Sequence, residues 1–167
     1  NHMNRILVKM GLSKLTKSEK PFALILKEFF NKTEFNSEDI GFSIAPRLNS
    51  AGRMKNAIIS FNFLNSENLY EARKYFDILN QTNDERKEIE QTITNLAVTT
   101  ENQNHFIVVS GEFHEGVVGI VASRLVNHFR LPAIVLSDKG DILKGSGRGL
   151  GDINIYQLIS KCEEFLE

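Results

Sequence analysis

The hydrophobic pattern of this chain changes period near residue 105, and that change limits the folds open to it. Before that point apolar residues recur at three- and four-residue steps. After it, short continuous apolar runs flank a single helical stretch. The longest periodic run passes through Leu69, Ala72, Phe76, Leu79, Arg86, Ile89, Ile93 and Leu96. A helix capped by Asn65 or Ser66 and continuous to about Thr100 would be ~50 Å long at the usual rise per residue, more than a small domain needs. Such length predicts a strut between two lobes, with residues 80–83 as the place where it could break.

Upstream, Ile6, Leu7, Met10, Leu12 and Leu15 predict a helix over 4–15. Phe22, Leu24, Ile25, Leu26, Phe29 and Phe30 predict a second over 21–30, with Pro21 well placed at its start. A third helix over about 37–45 is expected to stop near Pro46, because the residue before a proline avoids the α region. Residues 46–55 then read as a loop, with a short helix around 56–63 after it. Downstream, 105–110, 132–137 and 141–145 read as strands and 117–128 as a helix. Asp152 or Asn154 is placed to cap a closing helix that runs to Leu166. A strand, a helix and a strand within about 33 residues make a βαβ unit, whose first two strands are parallel. The fold class is therefore α/β: a helical N-terminal half and a long connecting helix, then a small βαβ-based lobe.

At 167 residues the chain suits one ordinary domain or two small ones. No apolar run approaches the ~20 residues of a membrane helix, so no membrane partner is expected. The opening Asn1-His2-Met3 reads as a cloning remnant. A single cysteine, Cys162, excludes an internal disulfide framework, fits a reducing cytoplasm, and is expected to be buried in an apolar helical pattern. The net charge of -1 conceals a gradient: residues 1–35 hold seven Lys/Arg against three Asp/Glu, and residues 65–104 hold four against eight. A basic end is compatible with nucleic acid, but a surplus of this size is also an ordinary solvated surface.

Three segments carry chemistry. Lys144-Gly145-Ser146-Gly147-Arg148-Gly149 comes after a predicted strand, where glycines uncover backbone N–H groups, Ser146 adds a hydroxyl, and Arg148 adds a fork matched to a phosphate. A strand-to-helix turn with an incidental arginine is the plainer reading. Pro46-Arg47-Leu48-Asn49-Ser50-Ala51-Gly52-Arg53 sets Asn49 and Arg53 four apart. If that stretch is helical, both face one way and suit a phosphodiester oxygen or a base edge, while Arg47 could equally tie neighbouring helices together. His114 lies between a strand and a helix start, near Gly116 and Gly119. Helix N-termini attract anions, yet a lone histidine is more often structural, and His2, His105 and His128 stand at no metal-ligand spacing from it.

Four segments in this order resemble the RecJ family of single-stranded-DNA-specific exonucleases, within the DHH phosphoesterase superfamily. They are Asn4-Arg5-Ile6-Leu7-Val8-Lys9-Met10-Gly11-Leu12, residues 44–54, residues 114–125 and residues 145–148. The resemblance covers nearly the whole chain after residue 3. It implies degradation of single-stranded DNA from its 5′ end with Mn²⁺ or Mg²⁺ in recombination and repair, with single-stranded DNA and DNA-repair proteins as partners. By the same resemblance, residues 4–43 are the helical tail of a DHH lobe, 44–104 a connecting segment, and 105–167 a DHH-associated lobe. Ser146 and Arg148 then look like contacts for a 5′-phosphate, Asn49 and Arg53 like contacts for the DNA backbone, and His114 like a cleft residue.

The sequence departs from the family pattern in three respects. The lobe with the Asp-His-His metal ligands is missing, so neither a catalytic residue nor a metal ligand is expected in this stretch, and it is read as an inactive fragment. The chain stops at Glu167, before an expected Gly-Gly-His segment. Gly149 and Glu115 stand where many relatives place serine and proline. Two other readings stay open: a DHH phosphoesterase for short oligonucleotides or cyclic dinucleotides, and a nucleic-acid-binding module with no catalytic partner.

Overall fold

The fold, a computed structural model, is described for residues 2–99 and 105–166. Asn1, the expected helix end at Thr100 and the expected lobe boundary near residue 104 lie outside the described residues. Two compact units divide the chain, residues 1–85 and 86–167, and the division falls inside one helix. Among the described residues no helix is long and apolar enough to cross a membrane.

The first unit is helical. α1 (His2–Lys17) and α2 (Pro21–Phe30) form where the apolar spacing places them. Pro21 starts α2, where a missing N–H costs nothing, and Asn31 ends it in the left-handed conformation. α3 (Ala45–Met54) corrects the expected loop. Residues 39–44 wind as a π-helix that passes directly into α3, with the Ala45 N–H bonded to the Ile40 carbonyl. The change from π to α winding sets Pro46 in the first turn of α3, where a proline is tolerated. Ala45 therefore takes helical angles despite preceding a proline.

α4 (Ile58–Leu64) then carries Phe63 into the core. Phe63 packs edge-on against Phe22 (ring centroids 6.2 Å apart) and tilted against Phe76 (5.4 Å). Ile25, Leu26, Phe35, Ile44, Ala51, Ala72 and Leu79 belong to the same cluster.

α5 (Leu69–Thr99) is unbroken through residues 80–83. Its cap is Asn68, whose Oδ1 accepts the Glu71 N–H at 2.9 Å, rather than Asn65 or Ser66. The Ser66 hydroxyl instead donates back to the carbonyls of Asn62 and Phe63. The buried seam also differs from the expected one. It runs through Ala72, Phe76, Leu79, Asn83, Glu90, Ile93 and Ala97, while Leu69 and Leu96 are exposed. The apolar count alone missed the polar residues Thr82, Asn83 and Glu90, which the helix buries in mid-course.

In the second unit, β1 (Ile107–Gly111), α6 (Glu115–Phe129) and β2 (Ala133–Asp138) form the expected βαβ arrangement, with β1 and β2 parallel. β3 (Leu143–Arg148) returns antiparallel beside β2, giving the order β1-β2-β3. Val117, Val121, Ala122 and Leu125 of α6 face the sheet, whose inner positions are Ile107, Val109, Ala133 and Val135.

α7 (Ile155–Ser160) is capped by Asn154, whose Oδ1 accepts the Gln157 N–H at 3.2 Å. It ends well short of Leu166, in a 3₁₀ turn. Cys162 is consequently exposed, not buried. Ile155 and Ile159, one turn apart, rest on Gly147, but the helix that would have enclosed the thiol has stopped by then.

Candidate phosphate-binding site

Ser146 and Arg148 are two residues apart on β3, so both project from one face of the sheet. The segment is a paired strand rather than the open glycine turn expected from sequence. Val135 is the register partner of Ser146, and Ala133 that of Arg148. Its glycines therefore serve packing. A Cβ at Gly145 would lie 2.8 Å from the Val135 carbonyl oxygen, and one at Gly147 would lie 3.0 Å from Ile155. Gly149, just past the strand, passes so close to the Ile153 carbonyl that a side chain there would overlap it.

The Arg148 guanidinium is folded back over this strand. Its Nη1 donates to Ser146 Oγ at 2.8 Å and to the Gly147 carbonyl at 2.8 Å. Its Nε donates to Ser123 Oγ on α6 at 3.1 Å. Gly119 lies one turn before Ser123 and opens the space these groups occupy. A Cβ built there would stand 3.2 Å from Arg148 Nη2 and 3.3 Å from Ser146 Oγ. The glycine thus clears an arginine and a serine, beyond the packing on the sheet that its sequence position suggests. Both Nη2 protons and the Ser146 hydroxyl proton remain to meet an anion, a donor set suited to phosphate oxygens.

Gly119→Ala should separate stability from this geometry. Alanine favours a helix interior by up to ~1 kcal/mol over glycine, so thermal stability should hold or rise. Anion binding should fall as Arg148 and Ser146 give way to the new methyl group. Equal or stronger phosphate binding by the variant, measured by calorimetry, would show that the gap has no such role.

His114 is the N-cap of α6: its Nδ1 accepts the Gly116 N–H at 3.1 Å, leaving Nε2 as the atom able to face a ligand. It lines a cleft of about 520 Å³ together with Ile89, Thr92, Ile93 and Phe113. Glu88 and Glu112 line the same cleft, and their charge works against holding a phosphate there. Beside His114, Glu115 pairs with Lys144 at 3.7 Å, linking the start of α6 to β3.

Asn49 and Arg53 belong to the first unit. Both lie on α3, so the helix that replaces the expected loop does place them on one face. Both are exposed, and their side chains make no hydrogen bond or ion pair among the described residues. Arg47 serves the fold: its Nε donates to Asn80 Oδ1 at 2.9 Å and its Nη1 to the Ser43 carbonyl at 2.7 Å. Its guanidinium lies 5.2 Å from the ring centres of both Phe29 and Phe30. Desolvation there pulls its pKa below the usual arginine value, with the Asp84 charge opposing.

Sequence reasoning passed over Ser123. Its signal was the four-residue step from Gly119, which aligns two small residues on the helix face toward β3. Among the described residues, no three His, Cys, Asp or Glu side chains gather as metal ligands.

No family model matches the sequence. Individual relatives do. The single-stranded-DNA-specific exonuclease RecJ of Bacillus subtilis is 35% identical over 98% of this chain, which spans 22% of that protein. The Escherichia coli protein of the same name is 32% identical over 96% of this chain, which spans 30% of it. RecJ from Thermus thermophilus, solved in complex with Mg²⁺, superposes with a TM-score of 0.85 at 29% identity, covering 96% of this chain and 26% of that one. Over nearly its whole length the chain is similar to a part of RecJ. An exonuclease RecJ bound to manganese gives a TM-score of 0.80 at 30% identity over 94% of this chain, and 40% of that structure is covered. The chain thus spans roughly a quarter of the length of these two RecJ proteins.

Proposed function

We propose that this chain is a DNA-gripping part of a single-stranded-DNA-specific 5′→3′ exonuclease of recombination and repair. Ser146 and Arg148 hold the 5′-terminal phosphate, and Asn49 and Arg53 contact the sugar–phosphate backbone. His114 lies at the DNA cleft. Residues 4–43 continue a DHH lobe, 44–104 connect, and 105–167 form the DHH-associated lobe. The divalent metal is held by residues outside this chain, in keeping with RecJ structures that contain Mg²⁺ or Mn²⁺. When bound, that metal would activate water and stabilise the leaving oxygen. The chain by itself releases no nucleotides.

The observation that supports this reading most directly is the Ser146–Arg148 pair, joined at 2.8 Å over the gap at Gly119. A terminal phosphate carries more charge than an internal diester and offers more oxygens. A guanidinium with two free protons beside a hydroxyl donor therefore favours an end over the middle of a strand.

The test compares binding of single-stranded DNA with a 5′-phosphate or a 5′-hydroxyl across a salt series, with Arg148→Ala alongside. The 5′-phosphate should be preferred by about 10-fold or more, from charge-assisted bonds of ~1.5–3 kcal/mol, and the variant should lose that preference. Equal binding of both ends, falling steeply with salt, would reduce the site to general backbone attraction.

A further inference from the structure

Arg148 could reach a phosphate from many rotamers, yet it is held in one, and the side chain holding it lies on a different element. We infer that Ser123 is a positioning residue for the Arg148 guanidinium and so sets the selectivity for a 5′-phosphate. This rests on the reading of Ser146 and Arg148 as the phosphate contacts.

Ser123 Oγ donates to the Gly119 carbonyl one turn back at 3.0 Å, so its single proton is committed within α6. The lone pairs left on that oxygen can only accept, and Arg148 Nε supplies the proton at 3.1 Å. Nε and Nη1 are thereby both engaged with the protein, and Nη2 is the end of the guanidinium left over for a ligand. A planar guanidinium fixed at two of its three nitrogens has a defined plane. Nη2 and the Ser146 hydroxyl then present their protons together before a ligand arrives. Fixing an arginine side chain costs rotamer entropy, and a site that has already met this cost binds more tightly.

The anchor is also specific to its place. Helical residues four apart share a face, so only the positions one turn from Gly119 can reach the opening it leaves. Position 123 carries a hydroxyl there, half-buried, while neighbouring Ala122 and Leu125 face the sheet. An alanine at 123 would keep α6 and its packing, and Arg148 would keep its bonds to Ser146 and Gly147. Only the Nε anchor would be lost, and the guanidinium could then rotate about its remaining contacts.

The experiment measures affinity for 5′-phosphorylated and 5′-hydroxyl single-stranded DNA in the intact protein that contains this chain. It compares wild type, Ser123→Ala, Ser123→Thr, Arg148→Ala and Ser123→Ala/Arg148→Ala, each checked by thermal melting. Ser123→Ala should cut the preference for the phosphorylated end about 3- to 10-fold without lowering the melting temperature, the range of one ordinary hydrogen bond lost from a residue that does not itself touch the phosphate. Ser123→Thr keeps the hydroxyl and should retain the preference. With Arg148 removed, Ser123→Ala should cost no further affinity for either DNA.

An unchanged preference in Ser123→Ala, with the preference lost in Arg148→Ala, overturns the inference and leaves the phosphate site standing. A further loss from Ser123→Ala in the Arg148→Ala background means Ser123 acts by some other route, and also overturns it. If Arg148→Ala keeps the preference, the reading of the phosphate site itself fails.

Discussion

Glu90→Ala should destabilise the second unit by about 3–5 kcal/mol, the usual cost of breaking a buried ion pair from one side. Glu90 is 1% exposed in the middle of α5. One carboxylate oxygen meets Arg86, a turn earlier on the same helix, and the other meets Arg124 of α6 at 3.0 Å. Alanine would take from the Arg86 side chain, itself only 12% exposed, the carboxylate one turn away. Arg124 is about half exposed, so Arg124→Ala should cost no more than ~1 kcal/mol. Denaturant unfolding gives both values, and hydrogen exchange should localise the Glu90→Ala loss to α6 and the sheet. A Glu90→Ala loss below ~1 kcal/mol would mean the charge cluster contributes little.

Phe63→Ala should cost a comparable ~3–5 kcal/mol, but in the first unit and for an apolar reason. Phe63 is wholly buried and contacts the rings of both Phe22 and Phe76. Removing the ring forfeits its transfer free energy and opens a cavity among residues drawn from α2, α4 and α5, which cannot all close on it at once. Phe63→Leu should recover more than half of the loss, because it refills most of the volume. Matching losses in the two variants would point away from cavity size as the cause.

Much of this was legible in the sequence, and the failures have physical reasons. α2 and the βαβ unit could be read from apolar spacing, because burial on one face imposes its period on the residues. Pro46 misled because a proline forbids a helix only when its position needs an N–H or crowds the preceding turn; a π-wound turn before it removes that obstacle. Residues 146–148, beyond the expected strand end at 145, misled because glycines read as a turn, whereas here they let strands and α7 approach one another. Ser146 and Arg148 stand out in the sequence as a serine and an arginine among glycines, but Ser123 could not be joined to them: that bond links residues 25 apart, and only the packing of α6 against β3 brings them together. Arg47 shows the reverse case. Its sequence left a phosphate contact and a tie between helices equally open, and its donors go to Ser43 and Asn80.

The π-wound stretch 39–44 has a consequence for the pair on α3. Wider winding takes up residues without adding the rotation that α winding would give, so it works as a phase shifter between the chain before it and α3. Each α-helical residue turns the face by about 100°. Shortening the stretch by a single residue would therefore swing Asn49 and Arg53 together about a quarter-turn around the helix axis while leaving their mutual spacing intact. The bearing of that pair is written in the length of the segment before it, in residues that make no hydrogen bond or ion pair with the pair's own side chains.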